Sequence, residues 1–190
     1  MKQISFILAV IFLLASCDKD KCTYTLGEKE YDLIPYEYND TIIASLFDKN
    51  YDFSKRVLLV VQEGETMALE NEGSFGEPLC KGTFDKYFLP IKSMNESILK
   101  DGGIEMLIPN NRFKLSFGFE INNTIIGFTI MPYASDEEKS FEFYPRKVID
   151  NTTFNDVYFI PGDSDTLYYS AQTGLIKLIY PDGVIKFERE

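Results

Sequence analysis

Residues 112–121, RFKLSFGFEI, decide the fold. Phe113, Leu115, Phe117, Phe119 and Ile121 fall on one side of an extended chain, and Arg112, Lys114, Ser116, Gly118 and Glu120 on the other. A period of two with one apolar face is the mark of a half-buried antiparallel strand. Asn122-Asn123 follows as a two-residue turn, because Asn tolerates positive φ. Thr124–Met131 returns as the partner strand, and Pro132 ends it. Upstream, Gly103–Ile108 joins the same meander through Pro109-Asn110-Asn111.

The rest of the chain repeats this grammar. Strands are predicted at 55–62, 66–70, 83–91, 140–144, 155–160, 166–170, 175–180 and 184–188. Glu63-Gly64 reads as a turn between the first two, and Pro181-Asp182-Gly183 as a turn between the last two. Only Ser93–Lys100 has the makings of a helix, stopped by Gly102-Gly103. The expectation is an all-β domain, an antiparallel meander forming a curled sheet or open barrel, with at most one or two short helices.

Composition narrows the function. The 190 residues carry a net charge of −11 and no His or Trp, against 12 Tyr and 16 Phe. Without His, a Ser-His-Asp or Cys-His arrangement cannot be built, and the commonest general base and metal ligand are missing. Three cysteines cannot make a four-cysteine zinc site. A surface this negative repels phosphate backbones, so nucleic acid is not an expected partner. Neither a metal nor another cofactor is called for, and no enzyme activity is expected.

The amino terminus reads MKQISFILAVIFLLASC. Its apolar run, Ile4–Ala15, would be a helix of about 18 Å, too short for a hydrocarbon core of about 30 Å. It reads as a secretory signal over residues 1–16. Leu14-Ala15-Ser16-Cys17 resembles a bacterial lipobox, which implies cleavage before Cys17 and its acylation. Several acyl chains anchor a protein firmly to a membrane. Residues 17–30 then read as the lipidated cysteine and a charged tether, and 31–190 as a single β domain. Asp18-Lys19-Asp20 resembles the surface-export signal of Bacteroidetes-type lipoproteins. In enterobacteria an Asp there resembles a retention signal instead, and a charge run is also an ordinary solvated tether. Cys22 and Cys80 remain as an even pair, either bridged or free. A bridge would close a loop of about sixty residues and stabilise by roughly 4 kcal/mol.

Two further stretches carry a resemblance. Tyr31-Asp32-Leu33-Ile34-Pro35-Tyr36 before Asn39–Ile43 resembles the opening of small, functionally uncharacterised lipoproteins of Bacteroidetes type. Thr153–Tyr158, Leu167-Tyr168-Tyr169-Ser170 and Gly174-Leu175-Ile176-Lys177-Leu178 resemble their closing strands. The resemblance covers about a quarter of the chain. It implies an antiparallel sheet curled as an open barrel, like the half-barrels of lipoprotein carriers, and it implies no catalytic residues. The closing hairpin of such proteins often carries Trp, which is absent here.

Other patterns are weaker. Glu63/Glu65 and Asp163/Asp165 flank turn residues and offer oxygens to Ca²⁺, but acidic turns are common in so negative a chain. Asp40-Thr41-Ile42 and Asp165-Thr166-Leu167 resemble O-glycosylation sites of exported Bacteroidetes-type proteins, at Thr41 and Thr166. Tyr36, Tyr38, Tyr133, Tyr144, Tyr168 and Tyr169 are candidates for a ligand surface, or are ordinary strand tyrosines. The expected protein is a non-catalytic binding or accessory lipoprotein of the outer membrane, facing outward. Its partners would be the membrane, through the anchor, and a protein, glycan or lipid ligand. The alternative is a periplasm-facing carrier of a lipid or apolar ligand.

Overall fold

The computed structural model describes residues 22–71, 82–94, 98–108, 112–135 and 140–190. In chain order they form β1 (Cys22–Tyr24), α1 (Glu28–Tyr31), β2 (Thr41–Asp48), β3 (Phe53–Val61), β4 (Glu65–Asn71), β5 (Gly82–Ser93), β6 (Leu99–Leu107), β7 (Lys114–Ile121), β8 (Thr124–Ile130), β9 (Glu142–Ile149), β10 (Thr152–Pro161), β11 (Thr166–Ser170), β12 (Gly174–Tyr180) and β13 (Gly183–Arg189). The sheet runs β8-β7-β6-β5-β3-β2-β13-β12-β11-β10-β9, antiparallel throughout, with β1 and β4 laid along β5. Two meanders, β2–β8 and β9–β13, are thus joined where β13 pairs with β2.

This order forces the sheet to curl. Eleven flat strands would hold β8 and β9 about 48 Å apart, at about 4.8 Å per step. The segment from Ile130 to Glu142 spans about 43 Å at full stretch. The edges therefore come together: β10 approaches β8, and the Ser140 hydroxyl donates to the Thr129 carbonyl at 3.2 Å. The result is a half-barrel whose concave face is the core. Phe113, Leu115, Phe117, Phe119 and Ile121 are all buried in it, as their spacing predicts. Phe117 meets Tyr169 of β11 at 4.6 Å between ring centroids, and Phe119 meets Phe187 of β13 at 6.0 Å. The two meanders close on each other with side chains rather than around an empty lumen.

The predicted turn at Asn122-Asn123 is present, with φ of 52° and 63°. Two other local expectations are corrected. Glu63-Gly64 does not reverse the chain. Val61 pairs with Ile91 and Glu65 with Phe88, so β3 and β4 run in the same direction along β5 with one extra residue between them. This is a bulge, held by the Gln62 N–H donating to the Pro90 carbonyl at 2.9 Å. Nor does Ser93–Lys100 form the helix. Ser93 ends β5, and buried Leu99 opens β6 opposite Ile121, because its apolar side chain is needed in the core. Residues 95–97 lie outside the described residues. The one helix among the described residues is α1, a single turn whose Glu30 carboxylate accepts the Gly27 N–H at 2.9 Å. It follows β1, which pairs in parallel with β5, so residues from Cys22 onward already belong to the sheet assembly.

The segment after α1 stoppers the open end of the core. Leu33 and Tyr36 are buried. The Tyr169 hydroxyl donates to the Leu33 carbonyl, the Leu175 N–H donates to the Tyr36 hydroxyl oxygen, and Arg189 donates to the Pro35 carbonyl. Arg189 also pairs with Asp40 at 2.7 Å. Gly174 turns with φ +85°, and a Cβ there would sit 2.0 Å from the Tyr36 hydroxyl. The opening and closing stretches singled out in the sequence are therefore one packed unit. Burial raises the Tyr36 and Tyr169 hydroxyl pKa values, so both stay protonated.

On the convex face Pro90, Gly103, Gly118 and Gly127 line up across β5–β8. Missing side chains ease curvature, and the Phe88 ring covers Gly103. Two stability predictions follow from these contacts. Gly103→Val must displace the Phe88 ring, 2.5 Å from the new Cβ, and is expected to cost about 1–3 kcal/mol in urea unfolding, whereas Gly118→Val, with open space around it, is expected to change stability by less than about 1 kcal/mol. Tyr36→Phe leaves the Leu175 N–H without its acceptor and is expected to cost about 1–3 kcal/mol, against almost nothing for exposed Tyr38→Phe in the same assay.

Candidate functional site

The outward face of the second meander holds the densest group of unusual side chains. It originates in a local defect. Asp156 has φ 50° and stands opposite Pro145, between the pairs Asn155↔Arg146 and Val157↔Tyr144. Proline has no N–H for the ladder. The Gln172 amide fixes the Asp156 carboxylate at 2.6 Å. Strict alternation fails here: Phe154 and Val157, three apart, join the same small apolar cluster with Ile149, Ile176, Tyr144 and Tyr168. A bulge adds Ile176 to β12 between the pairs Tyr169↔Leu175 and Tyr168↔Lys177. The cluster is separate from the main core and lies behind it.

Aromatic rings and lysines cover this cluster. The Lys147 ammonium sits 3.4 Å from the Tyr144 ring centroid, 5.4 Å from Phe159 and 5.8 Å from Tyr168, within cation–π range of all three. Phe159 and Tyr168 are 5.2 Å apart. The Tyr144 hydroxyl donates to Glu142, and that hydrogen bond raises its pKa above the ordinary value. Tyr168 is raised by burial, with Lys147 acting in the opposite direction.

Beside them, Lys177 and Lys186 face each other directly across β12 and β13. Like charges in that position repel. Asp150, in a turn with Asn151 at φ 48° and 66°, reaches over both. Lys177 Nζ is 2.9 and 3.2 Å from its two oxygens, and Lys186 Nζ is 2.8 Å away. The Lys177 side chain is only 10% exposed, the Asp150 side chain 38%. Desolvation alone would raise the Asp150 pKa, but the hydrogen bonds from Lys186 and Lys177 prevail and lower it. A cavity of about 440 Å³ opens over this triad, with Phe154 and Ile176 among its walls and Glu188 and Arg189 at its border.

A second cavity, about 480 Å³, lies where β1 and α1 meet the residues just before β7 and just after β8. Tyr24, Glu30, Arg112, Phe113 and Tyr133 border it, and the Tyr133 hydroxyl donates to the Lys29 carbonyl at 3.2 Å. Burial, then Glu30 and Asp32, raise the Tyr133 pKa.

The six tyrosines singled out in the sequence thus divide. Tyr36 and Tyr169 are interior, Tyr144 and Tyr168 share the outward face, Tyr133 borders the second cavity, and Tyr38 stands alone and exposed. Phe159, Lys147, Asp150 and the lysine pair were not singled out; Pro145 in a strand was the available signal. Thr41 and Thr166 each open a strand, paired with Val60 and with Pro161 and Ile179, and are half-buried. Cys22 pairs with Gly82 through the backbone, while Cys17, Asp18, Lys19, Asp20 and Cys80 lie outside the described residues. Among the described residues no three His, Cys, Asp or Glu side chains gather as for a metal, and no helix is long and apolar enough to cross a membrane. No protein-family model, curated protein or solved structure matches the chain.

Asp150→Asn tests the triad. It strands two adjacent ammonium groups, one of them nearly buried, and solvent access to Asp150 tempers the cost to about 1–2 kcal/mol at pH 7. Because the folded pKa is depressed, the carboxylate's contribution is complete above the unfolded value, about 3.9, and fades as pH falls through the folded one. Urea unfolding of wild type and variant is expected to converge as the pH is lowered below about 4.

Proposed function

We propose that the chain is a lipid-anchored, extracytoplasmic binding module without catalytic activity, acylated on Cys17 and held at the outer membrane facing outward. The observation that carries the binding reading is the outward face of β9–β12, where Tyr144, Phe159, Tyr168 and Lys147 are assembled over an apolar cluster of their own. All four are half-buried, so each is fixed on the sheet yet keeps part of its surface open to a ligand. A carrier would use an open apolar interior, whereas here Phe117 packs on Tyr169 and Phe119 on Phe187 across the concave face.

The Leu14–Cys17 lipobox supports the anchor, and Asp18-Lys19-Asp20 supports export to the surface. With β1 beginning at Cys22, the link to the lipid reaches at most about 18 Å, so the module stands close to the bilayer. A Cys22–Cys80 bridge belongs to the same reading, since Cys22 lies beside Gly82, two positions from Cys80 in sequence.

Protease treatment of intact cells tests placement. Wild type is expected to be cleaved, and Asp18→Ala/Asp20→Ala to be protected until the cells are lysed. Cys17→Ala is expected to lose labelling by a palmitate analogue and to leave the membrane fraction. Protection of wild type in intact cells would overturn the outward placement and favour the periplasm-facing alternative.

A further inference from the structure

We propose that the cavity over Lys177 and Lys186 receives the acid group of an anionic glycan, with a neighbouring sugar ring stacked on Tyr168. This names the ligand class for the outward face and rests on the binding reading above.

The chain as a whole is at −11, yet Lys147, Lys177 and Lys186 gather on one face. Lys177 and Lys186 share a single carboxylate, so the triad keeps one positive charge in excess. Arg189 at the cavity border is already committed to Asp40, and Glu188 is exposed there. An ammonium has three donors. Lys186 gives one to Asp150, which leaves donors for a second anion beside it. Holding Lys177 nearly buried opposite Lys186 is unfavourable without anions, and one carboxylate balances only half of the pair.

The surroundings select the kind of anion. Tyr168 is the cross-strand neighbour of Lys177, and Phe159 packs against Tyr168. A ligand that reaches both groups needs an acid and a flat apolar face within one residue's length, which an acidic pyranose supplies. Thr152 and Thr173 also border the cavity and offer polar atoms to sugar hydroxyls. A nucleic acid would extend many phosphates into the repulsive field of the remaining surface, whereas one acid group engages the lysines in contact. That field is screened within about 8 Å at physiological ionic strength.

The test uses the full lipoprotein in detergent, titrated calorimetrically with trigalacturonate, with neutral galactotriose and with inorganic sulfate. Trigalacturonate is expected to bind at least about tenfold more tightly than either of the others, a difference of about 1.4 kcal/mol. Lys186→Gln and Tyr168→Leu are each expected to weaken it about tenfold or more, with Lys114→Gln on the other meander unchanged. Equal binding of the acidic and neutral trimers, indifferent to Lys186→Gln, would overturn the acid contact and leave the binding module intact. Sulfate binding as tightly as the acidic trimer would overturn the glycan in favour of a simple ion site. Absence of binding by all three would overturn the inference, while surface placement stands or falls on the protease experiment.

Discussion

The fold depends on the knot formed by Leu33–Tyr36 with Tyr169, Gly174, Leu175 and Arg189. A half-barrel leaves the end of its core open, and buried backbone groups there must find partners or water. Here two tyrosine hydroxyls serve a segment that has no place in the sheet. Tyr169 is fully buried and satisfies the Leu33 carbonyl, while Tyr36 satisfies the Leu175 N–H. Gly174 is required because the Tyr36 ring occupies the space of a side chain. The concave packing of Phe117 on Tyr169 is anchored through the same ring. One side chain thus belongs at once to the stopper, to β11 and to the contact between meanders.

The same economy separates the two faces. The concave face is apolar and self-filling. The convex face is glycine-rich over β5–β8, where Lys86 and Lys100 are each paired with a single Glu, and over β9–β13 it gathers several rings and lysines together. In the second meander Pro145 and Asp156 break alternation, and the break brings Phe154 and Val157 into one cluster. A distortion in the ladder is what lets a sheet present a raised, apolar-backed surface without surrendering its core.

Much of this could be read in the chain. Alternation at Phe113–Ile121 placed the core face, and Asn122-Asn123 and Pro181-Asp182 placed hairpins. Those features are local. What escaped is either relational or a choice between local alternatives. Glu63-Gly64 has turn chemistry, but the same residues make a bulge when a long partner such as β5 continues past them. Ser93–Lys100 has helical residues, but Leu99 is worth more opposite Ile121. The Asp150 bridge joins residues 27 and 36 positions apart, and no spacing rule reveals that two lysines on separate strands will stand side by side.

The pairing of β13 with β2 sits in the middle of the sheet, and the Glu190 N–H donates to the Thr41 carbonyl. The central seam therefore joins the beginning of the domain to its end. A chain in the course of synthesis completes β2–β8 well before β13 is available to join it to β9–β12. Contacts of such sequence separation slow folding. The seam between β2 and β13 therefore forms late, only after both of the strands it joins have been made.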